Sequence, residues 1–177
     1  MRDVTDDDLT RLLLDAAEGD QVALATFIRH TQADVWRFCA HLVDRPAADD
    51  LTQEVYLRAM RTVSRFRGDA SARTWLLVIA RRAAVDEIRR RQRRRRLPDP
   101  TPPEASPDGT DEVALHALVD DLAPDRREAF VLTQLLGWSY QDAAAVCEVP
   151  VGTIRSRVAR AREQLIDQLD AAEDAGA

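Results

Sequence analysis

Thirteen residues near the end of the chain, Pro150-Val151-Gly152-Thr153-Ile154-Arg155-Ser156-Arg157-Val158-Ala159-Arg160-Ala161-Arg162, superimpose two patterns. Ile154, Val158, Ala161 and Leu165 recur at steps of four, three and four, which aligns them along one side of a helix. The other side then carries Arg155, Ser156, Arg157, Ala159, Arg160 and Arg162. An arginine fork fits a phosphate or the acceptor edge of guanine, so such a face suits DNA in a major groove. The competing account is a helical hairpin with a solvated arginine face.

A second group has the opposite charge. In Asp49-Asp50-Leu51-Thr52-Gln53-Glu54-Val55-Tyr56-Leu57-Arg58, helical spacing puts Asp50, Gln53, Glu54 and Leu57 on adjoining turns of one surface. Carboxylates can hold a metal for nuclease chemistry, but neither a histidine nor a second carboxylate cluster is near to complete a ligand set. A protein-docking surface fits better. His30, His41 and His116 are scattered singly, and Cys39 and Cys147 lie far apart without a CxxC, so both thiols read as buried and reduced. No catalytic residue, metal or cofactor is expected.

A third group is the tract Arg89-Arg90-Arg91-Gln92-Arg93-Arg94-Arg95-Arg96. It serves equally well as a basic tail for RNA, an acidic partner or a membrane surface. Its place at the end of a helix beginning near Trp75, after a loop with an exposed Phe66, favours single-stranded bases, which stack on aromatic and cationic groups. Trp36 and Trp75 sit on apolar stripes and are expected in the core.

The elements that must position these groups are helices. Thr5 to Glu18 reads as one; Asp20 opens a second whose inner face holds Leu24, Phe27, Ile28, Val35, Phe38 and Leu42. Asp44-Arg45-Pro46 restarts a third with Leu51, Val55 and Ala59 inward. Ser71 caps a fourth that carries Trp75, Leu76, Ile79, Ala80 and Ala83. Further on, Leu115, Leu118, Val119 and Leu122 form a stripe, Pro124 opens a helix that Gly137 closes, and Ser139-Tyr140-Gln141-Asp142 resembles a capping box before a short helix Ala143–Cys147. A short helix, a tight turn and the arginine-faced helix make a helix-turn-helix.

Residues 97–112 hold five of the eight prolines and almost no large apolar side chain. They form a semi-stiff linker reaching at most roughly 50 Å. The expected fold is all-α: two small helical domains, residues 1–96 and 113–170, joined by that linker, with a disordered acidic tail at 171–177. Charge is segregated in the same way. All 25 basic residues are arginine, and residues 58–96 carry 14 of them against three acids in a chain of net charge −6. An acidic protein with one dense basic segment contacts a polyanion there and a different partner elsewhere. The start is acidic and no eighteen apolar residues run together, so no membrane span is expected and the protein belongs in the cytoplasm.

The residues 49–58, then Thr74-Trp75-Leu76-Leu77-Val78-Ile79-Ala80-Arg81, then 150–162 together resemble the extracytoplasmic function (ECF) sigma factors of bacterial RNA polymerase. The resemblance runs from about Leu9 to Leu169. It implies that residues 1–96 dock on core RNA polymerase through Asp50, Gln53, Glu54 and Leu57. The same domain would open the promoter's minus-ten element, with the loop from Phe66 to Arg73 capturing a flipped base. Phe66, Arg67, Ser71, Arg73, Trp75 and Arg82 are its candidate DNA contacts. Residues 113–170 would read the minus-thirty-five element through Arg155, Ser156, Ala159 and Arg160. Where many members carry asparagine, this chain has Arg82, so the family's way of holding the flipped base does not transfer intact. An anti-sigma factor is a further partner the resemblance leaves open. The rival function is a free-standing helix-turn-helix transcriptional regulator, which leaves the 49–58 surface without a role.

Overall fold

A computed structural model describes residues 4–43, 45–95 and 118–176, and among them all regular structure is helical. The chain divides into two units, Met1–Ile88 and Arg89–Ala177. The linker at 97–112, Leu115 and His116 lie outside the described residues.

In the first unit, Thr5 caps α1 (Asp6–Ala17) reciprocally: its hydroxyl accepts from the Asp8 amide at 3.2 Å, and the Asp8 carboxylate accepts from the Thr5 amide at 3.1 Å. Asp6, Asp7 and Asp8 occupy the positive end of the helix dipole. Gly19, at φ +107°, makes the turn that an L side chain would strain. Asp20 then caps α2 (Gln21–Leu42), accepting from the amides of Val22 and Ala23 at 2.8 and 3.0 Å. Next come α3 (Arg45–Thr62), a 3-10 turn (Val63–Arg65) and α4 (Ala72–Arg95).

The four helices bury Leu9 and Leu13, Phe27, Val35 and Phe38, Val55, and Leu76 and Leu77, each to 2% exposure or less. Burial of each such side chain contributes about 1.5–3 kcal/mol. Leu51, Ala59, Ala80 and Ala83 are inward as their spacing requires, whereas Leu24, Ile28 and Ile79 lie half-buried at the edge of the stripe. The two tryptophans depart from expectation: Trp36 and Trp75 are half-buried rather than core. For Trp36 the reason is polar, since its indole N–H needs an acceptor and finds the Asp49 carboxylate at 2.8 Å. Deep in this core the Thr31 hydroxyl and the Tyr56 hydroxyl share a hydrogen bond at 2.8 Å, and Thr31 also donates to the Phe27 carbonyl at 2.8 Å. Cys39 is buried and unbridged, and desolvation pushes its thiol up to about 12, offset in part by the Thr52 hydroxyl.

In the second unit, Pro124 opens α5 (Pro124–Phe130), which widens into a π-helical turn, Val131–Leu135. Gly137 at φ +71° ends it, as its position after the apolar run predicts, while the Trp138 amide donates to the Leu132 carbonyl at 2.9 Å. Ser139 caps α6 (Tyr140–Cys147), three residues earlier than the sequence suggested, by accepting from the Asp142 amide at 3.0 Å. After the turn at 148–150 comes α7 (Val151–Gly176). This helix runs on through the segment expected to be a disordered tail, because Ala171, Ala172, Glu173 and Ala175 favour helix and no proline interrupts them.

Candidate nucleic-acid and partner interfaces

On α3, Asp50, Gln53 and Leu57 are exposed along one surface, and Leu57 (46% exposed) is followed one turn on by Met60 (42%). Two exposed apolar side chains with acidic and amide neighbours form a small amphipathic face. Glu54, grouped with them by spacing, is engaged within the unit instead: the Arg58 Nε donates to its carboxylate at 2.8 Å, and Arg58 Nη1 donates to Asp86 of α4 at 2.9 Å. The hydrogen bond to Glu54, and next that to Asp86, raise the Arg58 pKa above its ordinary value. The sequence reading passed over Arg58 as part of this surface; its spacing of four from Glu54 was the available signal.

The loop before α4 differs more. Phe66 is not exposed but buried, at 7%, with its ring centroid 5.5 Å from that of Trp75. The 3-10 turn, closed by the Phe66 amide donating to the Val63 carbonyl at 2.9 Å, delivers the ring to that contact. Ser71 caps α4, accepting from the Thr74 amide at 3.2 Å. Arg73 turns back to the body of the unit, 3.4 Å from Asp6 and 3.7 Å from Asp34. Of the six residues assigned to this site by sequence, Arg67 and Arg82 are the exposed ones. Arg82 borders a shallow groove of about 280 Å³ with Arg58, Arg61, Thr62 and Ile79. Arg61 and Thr62 were not anticipated there; the fold brings the end of α3 to α4, a proximity no local pattern encodes. Arg89, Arg90 and Arg93, past the boundary of the first unit, are exposed on the last turns of α4.

In the second unit, α6 and α7 form the helix-turn-helix. Its turn includes Glu148 at φ +57°, a left-handed conformation that costs a non-glycine residue about 1–2 kcal/mol. Ile154, Val158, Ala161 and Leu165 are all buried, at 0 to 8% exposure, so the predicted inward stripe is the one that forms. Arg155, Ser156, Ala159 and Arg160 are exposed on the opposite side. Two arginines read as part of that face turn away from it: Arg157 reaches Asp125 of α5 at 3.2 Å, and Arg162 donates to Gln134. Ser156 donates to the Thr153 carbonyl at 2.9 Å, a bond within its own helix.

A helix-turn-helix with an outward arginine face, in the same chain as a helical unit with an arginine-rich last helix, defines a DNA-binding protein of transcription. Two family models match: Sigma-70 region 2 over residues 27–94 and Sigma-70, region 4 over residues 112–165. The chain is 52% identical over 168 residues to the ECF RNA polymerase sigma factor SigC of Mycobacterium tuberculosis (strain CDC 1551 / Oshkosh), with 91% of each chain covered. It is 31% identical over 166 residues to the ECF RNA polymerase sigma-E factor of Escherichia coli (strain K12), covering 84% of this chain and 87% of that one. Among solved structures it is similar to CnrH in complex with the cytosolic domain of CnrY, with a TM-score of 0.74 at 26% identity over 93% of this chain and 99% of that chain. It is also similar to the sigma factor RpoE in complex with the anti-sigma factor NepR from Bartonella quintana, with a TM-score of 0.71 at 27% identity over 83% and 96%.

The chain belongs to the ECF sigma factors of bacterial RNA polymerase. It is an alternative sigma factor, which binds core RNA polymerase and directs promoter recognition and transcription initiation. A free-standing transcriptional regulator is not favoured. The family consists of non-catalytic initiation factors, and among the described residues no helix is long and apolar enough to cross a membrane.

Proposed function

We propose that residues 1–96 dock on the polymerase and open the minus-ten element, that residues 113–170 read the minus-thirty-five element, and that residues 97–112 link them. Docking is assigned to Asp50, Gln53 and Leu57, with Glu54 contributing under the restraint of Arg58. Minus-ten capture is assigned to Arg67 and Arg82 at the surface, with Phe66, Ser71, Arg73 and Trp75 shaping the loop from within. Arg155, Ser156, Ala159 and Arg160 are assigned to the minus-thirty-five bases and phosphates. The protein works in the cytoplasm, without enzymatic activity of its own, and an anti-sigma factor is a partner, as in the complexes of RpoE with NepR and of CnrH with CnrY.

The observation that carries the reading is the division of α7 into a fully buried stripe and an exposed cationic face at the N-terminal end of the second helix of a helix-turn-helix. The test is reconstitution of the full chain with core polymerase, transcription from a promoter library, and sequencing of the templates that yield RNA. Enrichment at two blocks, separated as minus-thirty-five and minus-ten elements are, is the expected result. Enrichment at one block alone would remove one of the two domain assignments.

A further inference from the structure

The segment that carries the minus-ten loop is held by a helix far away in sequence. The first amide of α4, that of Ala72, has no acceptor within its own helix, as at every helix start. It donates to the Thr10 hydroxyl of α1 at 3.1 Å, across 62 residues. That hydroxyl is itself oriented, because it donates to the Asp6 carbonyl at 2.8 Å and so presents a lone pair to the Ala72 amide. Ala72 is fully buried. One more contact joins the same pair of regions, Arg73 reaching the Asp6 carboxylate at 3.4 Å, and Gly68 lies near enough to Leu14 that a Cβ there would come within 3.7 Å of it. The Sigma-70 region 2 match begins at Phe27, so α1 lies before it.

We propose that Thr10 is a positioning residue for base capture: through the Ala72 amide it fixes where the loop 66–71 ends and α4 begins, so that α1 sets how sharply the loop discriminates among minus-ten sequences. The argument rests on the assignment of that loop to base capture. A loop that presents a base pocket must hold its backbone in one arrangement. Here, beside the Ser71 cap and the Arg73 ion pairs, the anchor on its C-terminal side that comes from α1 as a hydrogen bond to backbone is one side-chain oxygen. Without it the loop samples more arrangements, and the pocket binds more sequences with less preference.

The experiment uses the full chain assembled with core polymerase and a pool of single-stranded oligonucleotides randomised over six positions, sequenced before and after capture. Thr10→Val keeps the shape of the side chain and removes the oxygen. It is expected to lower the enrichment of the preferred hexamer over the pool median by about two- to tenfold, the population change that one hydrogen bond supports, with polymerase affinity unchanged. Hydrogen exchange in the peptide covering Phe66 to Trp75 should rise in the same variant, and Thr10→Ser should restore both readouts. Asp6→Asn, which leaves the hydroxyl in place, weakens the Arg73 contact and removes one of three first-turn carboxylates of α1, is the second variant and should shift both readouts in the same direction by less. Faster exchange with enrichment unchanged would overturn the proposal, as would failure of Thr10→Ser to rescue. If the parent protein enriches no hexamer, the assignment of the loop to base capture falls instead, and the exchange data alone then report a structural tie.

Discussion

Arg58 Nη1 lies 2.9 Å from the Asp86 carboxylate, joining α3 to α4 across 28 residues while the Nε of the same guanidinium holds Glu54. One cation thus serves two carboxylates, and Glu54 meets any basic partner with its charge already opposed. Asp50 has no such neighbour among the contacts found on α3. Asp50→Arg is therefore expected to weaken assembly with core polymerase by at least about tenfold, since like charges brought together at an interface cost several kcal/mol. Glu54→Gln should change it by less than about threefold, within the worth of one exposed ion pair. Fluorescence titration of core polymerase measures both, with circular dichroism as the folding control. Equal losses in the two variants would mean that Arg58 does not restrain Glu54.

Phe66→Ala should destabilise the protein by about 3–5 kcal/mol, the range for emptying a buried aromatic site, because the ring packs on Trp75 instead of facing solvent. Urea melts measure this. Loss of promoter opening in that variant would report the fold, not a base contact. Arg67→Ala is the informative substitution, with stability expected within about 0.5 kcal/mol of the parent and loss of oligonucleotide selectivity.

On α7 the arginines separate into two classes. Arg155→Ala is expected to relax base preference at particular minus-thirty-five positions, by about 1–3 kcal/mol of discrimination where the fork meets guanine. An arginine on phosphate would instead weaken all sequences alike and lower the salt slope by roughly 0.9. Arg157→Ala should leave the preferences unchanged and cost about 0.2–1 kcal/mol of stability, because its partner is Asp125 of the same unit. A promoter-library readout beside thermal melts distinguishes them; altered base preferences in Arg157→Ala would reverse the assignment.

Alkaline pH should loosen the first unit. Burial raises Cys39 from an ordinary 9.0 to about 12 and Tyr56 from 10.0 to about 12, the latter opposed in part by the Thr31 hydroxyl. Well below pH 9 both groups are protonated in folded and unfolded chains alike, and their contribution is complete. Between 9 and 12 the unfolded chain releases protons that the folded chain retains, so stability falls as pH rises. Urea melts from about pH 8 upward should show this decline, with a later onset in Cys39→Ala. A decline identical in the parent and in Cys39→Ala would show that the thiol is not its source.

Much of this was legible in sequence because it is written locally. Thr5, Asp20, Ser71, Ser139 and Gly137 stand beside the helix ends they make, and the spacing of Ile154, Val158, Ala161 and Leu165 sorts one helix into two faces. What stayed hidden is set by distant partners. The Trp75 ring that Phe66 packs on, the Asp34 and Asp6 carboxylates that draw Arg73 inward, and the Asp125 that takes Arg157 leave no periodic trace. An arginine looks the same in sequence whether it meets solvent or a carboxylate 30 residues away. The motifs that carry the family resemblance therefore do not tell which side chains of the loop before α4 are exposed.

The separation of faces on α7 bears on how such a protein changes over evolutionary time. At Arg155, Ser156, Ala159 and Arg160 the outer side chains carry little of the packing, so on the proposed assignment substitutions there are free to try new upstream DNA while the buried stripe keeps the helix in place. In the loop before α4 the proposed base capture would share residues with the packing: Phe66, Ser71 and Arg73 cannot vary without disturbing the first unit. Divergence among descendants of this chain is then expected to appear first in the upstream element, with the downstream element changing slowly and only in step with its supports.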